Sequence, residues 1–332
     1  MKACLKIGLS AVAAFLLIFA AACSPKEEVK KVKLAEVTRS VFYTPQYVAL
    51  AKGYFKDEGL DVELKTTWGG DKTMTALLSD AADIALVGSE TSIYVYAQGA
   101  SDPIINFAQL TQTDGTFLVS REKKEQFEWN QLKGSTFLGQ RKGGMPQMVG
   151  EFVLKKHEIE PHKDLELIQN IDFANIANSF ASGTGDYVQL FEPTASVFEK
   201  EGKGYIVASF GEESGQVPYT TFMAKESYIK KNEETVEKFV RALYKAQQWV
   251  EKNSGEEIAK VVQPYFEDSD LETLAIVIER YKNQGSFAEK MTLTKDGWEN
   301  LQNIMEEAGE LPEKVDYAKL VNTEIVERVM KE

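Results

Sequence analysis

Two acidic residues stand where apolar runs end, a position from which side chains could do chemistry. Glu90 follows "ADIALVGS", Glu192 follows "YVQLF", and a segment with helical character begins at each acid. In an open α/β sheet, ligands bind in the crevice beyond the carboxyl ends of the strands. An acid at such a junction either contacts a ligand or lies against the positive end of a helix. For Glu192 we favour ligand contact and leave the helix-capping alternative open.

The remaining candidate residues occupy the same kind of strand-to-helix junction. Glycines there let a ligand approach the backbone and leave helix N–H groups free to donate, although Gly69 and Gly70 could instead form a plain turn that Asp71 caps. Aromatic faces could stack on a planar ring or a cation, although each ring taken singly is more often part of a core. The predicted ligand-binding set is Arg39, Phe42, Tyr43, Trp68, Gly69, Gly70, Ser89, Glu90, Thr91, Gly143, Gly144, Met145, Glu192 and Tyr219.

Catalytic and cofactor motifs are missing from the sequence. It has no GxSxG elbow, no GxxxxGK[ST] phosphate loop, no HExxH and no GxGxxG after a strand. His157 and His162 are the only histidines, and we interpret them as solvated surface residues because nothing nearby completes a triad or a set of metal ligands. We therefore expect no enzyme activity, cofactor or metal. An enzyme that uses only Glu90 and Glu192, facing each other across a cleft, is the alternative.

The elements that must position these residues alternate between short apolar runs and helix-period segments from Val32 onward. This pattern is typical of βαβ units and predicts an α/β fold with mostly parallel sheets. The alternation restarts after "TQTDG", and long amphipathic helices follow "GEESGQVPYTTFMAK". We predict lobe one from residues 32–114 and 216–332, its C-terminal part being helical, and lobe two from 115–215. Two chain crossings would form a hinge beside a cleft.

A short local pattern occurs once in each lobe. "LLSDAADIAL" and "FASGTGDYVQL" each place a serine four residues before an aspartate that opens a strand. Ser79 and Asp83 therefore correspond to Ser182 and Asp186. We interpret the match as one structural module that the chain uses twice, with Glu90 and Glu192 at corresponding ends.

The N-terminal segment has the features of a secretory signal. Two lysines precede an apolar run, and small residues lead to Cys23 in "AAAC", which predicts a signal peptide over 1–22, a lipidated Cys23 and a polar tether over 23–31. A retained membrane span is disfavoured because the run is shorter than the roughly 20 residues that a spanning helix needs. Both cysteines lie in or beside the signal, and the net charge of −13 disfavours nucleic acid as a partner.

Three stretches in this order resemble a known family: "GYFKDEGLDVEL", "GGDKTMTALLSDAADIALVGSE" and "LFEPTAS". They are similar to the solute-binding proteins of bacterial ABC importers in the nitrate/sulfonate/taurine and thiamine-pyrimidine-precursor superfamily. The resemblance implies a periplasmic-binding-protein type II fold of two α/β lobes joined by a two-crossing hinge. It also implies a monomer outside the cytoplasmic membrane, anchored by its lipid, that closes on a small ligand and delivers it to a permease and its ATPase.

Departures from the sulfonate-binding pattern decide which ligand the resemblance favours. "GGMP" stands where sulfonate-type members have a Gly-Ser followed by a small polar residue, and Phe191 stands where a tryptophan is common. A pyrimidine precursor fits better, with aromatic faces for its ring and a carboxylate that accepts from its exocyclic amine. The alternatives are a small anion (alkylsulfonate, taurine or nitrate) held by Arg39, Arg141 and helix N-termini, and a pyrimidine-synthesising enzyme, whose cysteine cluster this chain lacks.

Overall fold

A computed structural model describes residues 29–331 of the chain. The predicted signal peptide, Cys23 and most of the tether lie outside the described residues. No helix within residues 29–331 combines the length and the apolar character needed to cross a membrane.

Ten strands and fifteen α-helices make up the described part of the chain. The strands are β1 Lys30–Glu36, β2 Leu60–Thr66, β3 Ile84–Gly88, β4 Ile104–Thr111, β5 Thr116–Ser120, β6 Thr136–Leu138, β7 Glu166–Ile168, β8 Tyr187–Phe191, β9 Tyr205–Ser209 and β10 Thr220–Lys225. The helices are α1 Thr44–Ala51, α2 Tyr54–Asp57, α3 Gly70–Leu78, α4 Glu90–Ala97, α5 Met145–Lys156, α6 Ile176–Ala181, α7 Thr194–Lys200, α8 Phe210–Ser214, α9 Glu226–Lys231, α10 Glu233–Lys252, α11 Gly255–Val262, α12 Leu271–Asn283, α13 Lys295–Glu307, α14 Tyr317–Leu320 and α15 Glu324–Val329.

The strands form two five-stranded sheets with the same pattern, which confirms the predicted α/β fold. The first sheet has the order β2-β1-β3-β10-β4 and the second the order β7-β6-β8-β5-β9. In each sheet the first three strands are parallel and the fourth runs antiparallel to both neighbours. That fourth strand, β10 or β5, is the one that follows a crossing from the other sheet, so each lobe receives one strand across the hinge.

The repeated serine and aspartate pattern corresponds to the same hydrogen bonds in both sheets. The Asp83 N–H donates to Lys33 O and the Lys33 N–H donates to Asp83 Oδ2, both at 2.8 Å. Asp186 and Thr136 exchange the equivalent pair of bonds, again at 2.8 Å. Ser79 and Ser182 are both C-cap residues of the preceding helices. The repeated sequence pattern therefore forms the same local hydrogen bonds in both sheets.

Local sequence signals explain most of the element boundaries. β3 is entirely buried, as its continuous apolar run predicts, and β4 is entirely buried although it contains three polar residues. α10 buries one face made of Val236, Phe239, Val240, Leu243 and Val250. Thr44 is the first residue of α1 and does not cap it, because a 3-10 turn over Val41–Tyr43 precedes the helix and Ser40 caps that turn.

The two crossings between the sheets pack around one aromatic ring. The chain passes from the first sheet to the second at 112–115 and returns at 210–219. Phe42 is fully buried there and contacts Tyr219 and Tyr281 with ring centroids 5.6 and 5.1 Å apart. A Cβ on Gly115 would lie 2.7 Å from the Phe42 ring, so the first crossing can approach this closely only as glycine.

We predict that replacing either repeated aspartate destabilises its own lobe to a similar extent. Asp83→Ala and Asp186→Ala each leave a strand N–H without its carboxylate acceptor, which should cost about 1 kcal/mol of the free energy of unfolding. Urea denaturation of both variants measures this, with Asp61→Ala on the exposed face of β2 as the control. A large loss from one aspartate and none from the other would contradict the equivalence of the two modules.

Candidate functional site

A cavity of about 130 Å³ lies between the two sheets, at the carboxyl ends of their parallel strands. We call it the cleft cavity. Such a volume suits a small solute better than a drug-sized ligand. Ten of the fourteen predicted site residues line it: Tyr43, Trp68, Gly69, Gly70, Glu90, Thr91, Gly143, Gly144, Met145 and Tyr219.

The lobe-one wall begins at the turn between β2 and α3. Trp68 has φ of +60° and Gly69 has φ of +148°, and this turn presents the Trp68 ring, 47% exposed, at the mouth of the cavity. The Gly69 N–H donates to Val37 O at 3.1 Å, which ties the turn to the end of β1. Glycine is required at 69 because few side chains tolerate that backbone conformation. The first turn of α3 carries Asp71.

Glu90 is the buried acid of the cleft cavity. It is the first residue of α4 and only 3% exposed. Its Oε1 accepts a hydrogen bond from the Met145 N–H at 3.3 Å, while its Oε2 is buried without a hydrogen-bond partner in the described chain. Burial raises the pKa of Glu90 to about 8, against the opposing effect of backbone N–H donors. At neutral pH the Glu90 carboxyl group is therefore mostly uncharged.

Two tyrosines complete the polar part of the wall. Tyr43 and Tyr219 are each 3% exposed, and burial is the main cause that raises both phenol pKa values far above the usual range. The Tyr219 hydroxyl faces Asp114 but makes no hydrogen bond of normal geometry with the described residues. Burial also raises the pKa of Asp114 to about 6, although Thr116 donates to it. Tyr219 thus joins the cavity to the first hinge crossing.

The lobe-two wall is the turn between β6 and α5. The Gly143 N–H donates to Gln147 Oε1 at 2.9 Å, and the Gln147 amide nitrogen donates to Glu151 at 2.8 Å. Glu151 can only accept, so it fixes the Gln147 amide with its oxygen toward Gly143. The three side chains hold Gly143, Gly144 and Met145 against the cavity.

Arg141 spans the mouth of the cleft cavity. Its guanidinium lies 3.0 Å from Asp71 Oδ2 in lobe one and 3.3 Å from Asp172 Oδ1 in lobe two. Lys155 on α5 also donates to Glu307 O on α13, a second contact between the lobes. The two lobes are therefore in a closed arrangement.

Three predicted site residues lie outside the cleft cavity for identifiable reasons. Arg39 pairs with the buried Glu36 at 3.1 Å and lines a separate outer cavity beside Tyr265. Phe42 belongs to the hinge core, and Ser89 is buried with its hydroxyl donating to Pro218 O. Strand-end position alone could not separate side chains that point into the cleft from those that point away.

Glu192 also lies outside the cleft cavity, in the wall of the outer cavity. Its side chain is fully buried, its Oε1 contacts Arg280, and its Oε2 accepts the Ser196 N–H of α7 at 2.8 Å. Burial raises the pKa of this carboxyl despite Arg280 and Ser196. The Ser40 hydroxyl donates to Glu192 O at 2.7 Å. Of the two roles left open by the sequence, helix capping is the one that this geometry supports.

Sequence reasoning missed several residues of the cavity wall. Lining residues outside the predicted ligand-binding set include Lys72, Gln140, Lys142 and Phe173. Phe191 and Arg141, which the sequence analysis discusses in connection with the ligand class, line the cavity as well. Lys72 and Lys142 each lie next to a predicted turn, which was the available signal. Phe173 lies between β7 and α6, directly after Asp172, an acid that also lines the cavity and was the available signal there.

The histidines lie away from the cleft cavity. His162 is exposed, as expected, but His157 is half-buried, stacked on Trp129 and 3.0 Å from Glu213. A grouping of three or more His, Cys, Asp or Glu side chains suited to a metal ion is absent from residues 29–331.

Comparison with known proteins identifies relatives over nearly the whole chain. A family model described as NMT1/THI5 like matches residues 41–257. A Bacillus subtilis (strain 168) protein named "Putative binding protein YtlA" is 65% identical over 329 residues, which cover 99% of this chain and 98% of that protein. The formylaminopyrimidine-binding protein of Halalkalibacterium halodurans is 22% identical over 253 residues, 73% of this chain and 74% of that protein.

Solved structures share the fold. The alkanesulfonate-binding protein SsuA from Xanthomonas axonopodis pv. citri, solved with bound MOPS, superposes with a TM-score of 0.70 at 16% identity, covering 89% of this chain and 99% of that chain. The periplasmic-binding-protein type of architecture expected from the resemblance is confirmed.

We predict that Glu192→Gln lowers stability and leaves the cleft cavity intact. Removing one charge of a buried pair leaves Arg280 without its counterion, which should cost about 2 kcal/mol because Arg280 is partly exposed. Urea denaturation measures the loss, and Glu267→Gln, an exposed acid of the same outer cavity, is the control. A variant of unchanged stability that fails to bind solute would restore the ligand-contact role.

Proposed function

The chain belongs to the NMT1/THI5-like family of ABC-type solute-binding proteins, and from this premise we propose that its cleft cavity captures a small, planar, nitrogenous solute similar to a thiamine pyrimidine precursor. The observation that carries the proposal is the buried Glu90, whose Oε2 has no partner in the described chain.

A buried carboxyl oxygen without a partner favours a ligand that donates hydrogen bonds. An exocyclic amine or a ring N–H would satisfy Glu90 Oε2 and stabilise its ionised form, since hydrogen bonds to a charged acceptor are the stronger ones. The Tyr219 hydroxyl supplies a donor or acceptor for a second ligand atom. A pyrimidine that carries an amine beside a ring nitrogen presents both kinds of group at one edge.

The apolar part of the wall fits a flat ring. Trp68 and Tyr43 from lobe one and Phe173 and Phe191 from lobe two all line the cleft cavity. Aromatic faces can stack on a planar heterocycle. The name of the formylaminopyrimidine-binding protein supports this ligand class, and its 22% sequence identity to this chain adds no further detail.

Capture and delivery follow from the two-lobe geometry. A ligand that bridges Glu90 in lobe one and the Gly143–Met145 turn in lobe two stabilises the closed arrangement over the open one. Members of this family are extracytoplasmic binding proteins that work with a permease and an ATPase. We propose that this chain is a monomer, is held at the membrane by a lipid on Cys23, and catalyses no reaction.

One observation favours the anion alternative. Lys72 and Lys142 line the cavity wall, and the N-termini of α3 and α5 point toward it. An alkylsulfonate, taurine or nitrate could be drawn to these groups. Against this, Asp71 and Glu90 already lie at helix N-termini of this wall, and Arg141 is paired with two acids.

A thermal-shift screen tests the proposed ligand class. We expect aminopyrimidines and thiamine precursors to raise the melting temperature, because a ligand at 100 times its Kd stabilises the folded state by about 2.7 kcal/mol. Taurine, alkylsulfonates and nitrate should give no shift. Stabilisation by sulfonates alone would overturn the ligand class, and chemical turnover of any bound compound would favour the enzyme alternative.

The pH dependence of affinity separates the two ligand classes by its sign. A donor ligand binds the ionised Glu90, so its affinity should rise with pH, approaching tenfold per unit below about pH 7.5, and level off above pH 8. An anion binds while Glu90 is protonated, so its affinity should fall as pH rises through about 8. Isothermal titration calorimetry of the best ligand at several pH values measures this slope.

Controls for this slope come from the neighbouring titratable groups. Glu90→Gln should remove most of the pH dependence. Asp114→Asn tests the carboxyl behind Tyr219, whose pKa of about 6 lies below the main transition. Tyr43, Tyr94 and Tyr219 stay neutral throughout this range, because burial raises their pKa values. A slope that survives in Glu90→Gln would remove Glu90 from the binding step.

A further inference from the structure

Glu90 contacts the opposite lobe across the cleft. The side chain begins in lobe one, at the start of α4, and its Oε1 accepts a hydrogen bond from the Met145 N–H at the start of α5 in lobe two. A carboxyl group therefore lies across the closed cleft at the N-terminus of a twelve-residue helix. Helix N-termini favour negatively charged groups at this place.

Several groups near the α5 N-terminus are already engaged within the chain. The Gly143 N–H donates to Gln147 Oε1, Pro146 has no N–H, and the Gln147 N–H donates to Gly144 O at 3.0 Å. The Met145 N–H, at the first helical position, donates to Glu90 across the cleft. The buried Tyr219, whose hydroxyl faces Asp114, lies in the same wall.

The net formal charge of the cavity wall depends on Glu90. Lys72, Arg141 and Lys142 supply three positive charges, and Asp71 and Asp172 supply two negative ones. With an ionised Glu90 the wall is formally neutral, and without Glu90 it carries one positive charge. The remaining wall is therefore suited to a small anion.

We propose that Glu90 fills, from lobe one, an anion site that the α5 N-terminus would otherwise present, so that this one side chain determines the preference against small anions. The inference rests on the proposed function, since it explains why a member of this fold would take a donor ligand. A small carboxylate is the anion that matches the vacated space, because a carboxyl group occupies it in the native chain.

The test removes the carboxyl group by substitution and supplies a free carboxylate in solution. Glu90→Ala should be stabilised by sodium formate in thermal unfolding, with at least a tenfold lower apparent Kd for formate than the wild-type protein. Formamide, which has nearly the same shape without the charge, should give no such effect. Sodium chloride at equal ionic strength corrects for screening.

Glu90→Gln is the matched control because its amide keeps the space filled. It should bind formate no better than the wild-type protein. Equal stabilisation of Glu90→Ala by formate and formamide, or by neither, would overturn the proposal. Equal formate binding by Glu90→Gln would do the same, because the site would then not depend on vacated space.

Two further measurements keep the outcome interpretable. If Glu90→Ala does not fold, Glu90→Ser offers nearly the same space with a hydroxyl that can bind the Met145 N–H, and the same formate and formamide comparison applies. The ligand screen with wild-type protein stands apart from this test. If formate stabilises Glu90→Ala but no pyrimidine binds the wild-type protein, only the proposed ligand class is contradicted. If a pyrimidine binds but formate has no effect, only the proposed role of Glu90 in filling an anion site is contradicted.

Discussion

Convergence of helix N-termini on a small, poorly solvated space is the constraint on which this structure depends. The parallel strands of both sheets end at one cleft, so the helices that follow them direct their positive ends into it. The chain meets these ends with its own acids, Asp71 on α3 and Glu90 between α4 and α5. Asp71 and Asp172 offset two of the three positive charges of the wall, and the buried Glu90 is mostly uncharged at neutral pH. Under the proposed function, the same constraint accounts for a ligand without a negative charge in a fold shared with sulfonate-binding proteins.

The acid at the corresponding position of the two modules has different surroundings in each lobe. Glu90 and Glu192 follow corresponding strands, and each lies at the start of a helix. Glu90 remains in the cleft with an unsatisfied oxygen among the described residues, whereas Glu192 is held by Ser196 and Arg280 at the joint between the lobes. The difference comes from α12, which supplies Arg280 as the partner of Glu192, whereas Glu90 makes no ion pair among the described residues.

Sequence patterns predicted the fold and the edge of the sheets where the site lies. Apolar runs, strand-end glycines and the repeated aspartate each reflect local geometry, and the sheets and junctions follow from it. Side-chain direction depends on distant segments that periodicity does not encode. Phe42 turns away because Gly115 and Tyr281 complete a core around it, and Arg39 turns to Glu36. Arg141 could be recognised as a cation beside a turn, but its two acidic partners come from different lobes.

The half-exposed indole at the mouth of the cleft has a practical consequence. Trp298 is fully buried, and Trp129 and Trp249 pack against the core, so Trp68 is the tryptophan whose surroundings depend on what occupies the cleft. Its fluorescence emission is sensitive to the polarity around the ring. The protein therefore carries a built-in optical reporter, through which occupancy could be followed in real time without attaching a dye.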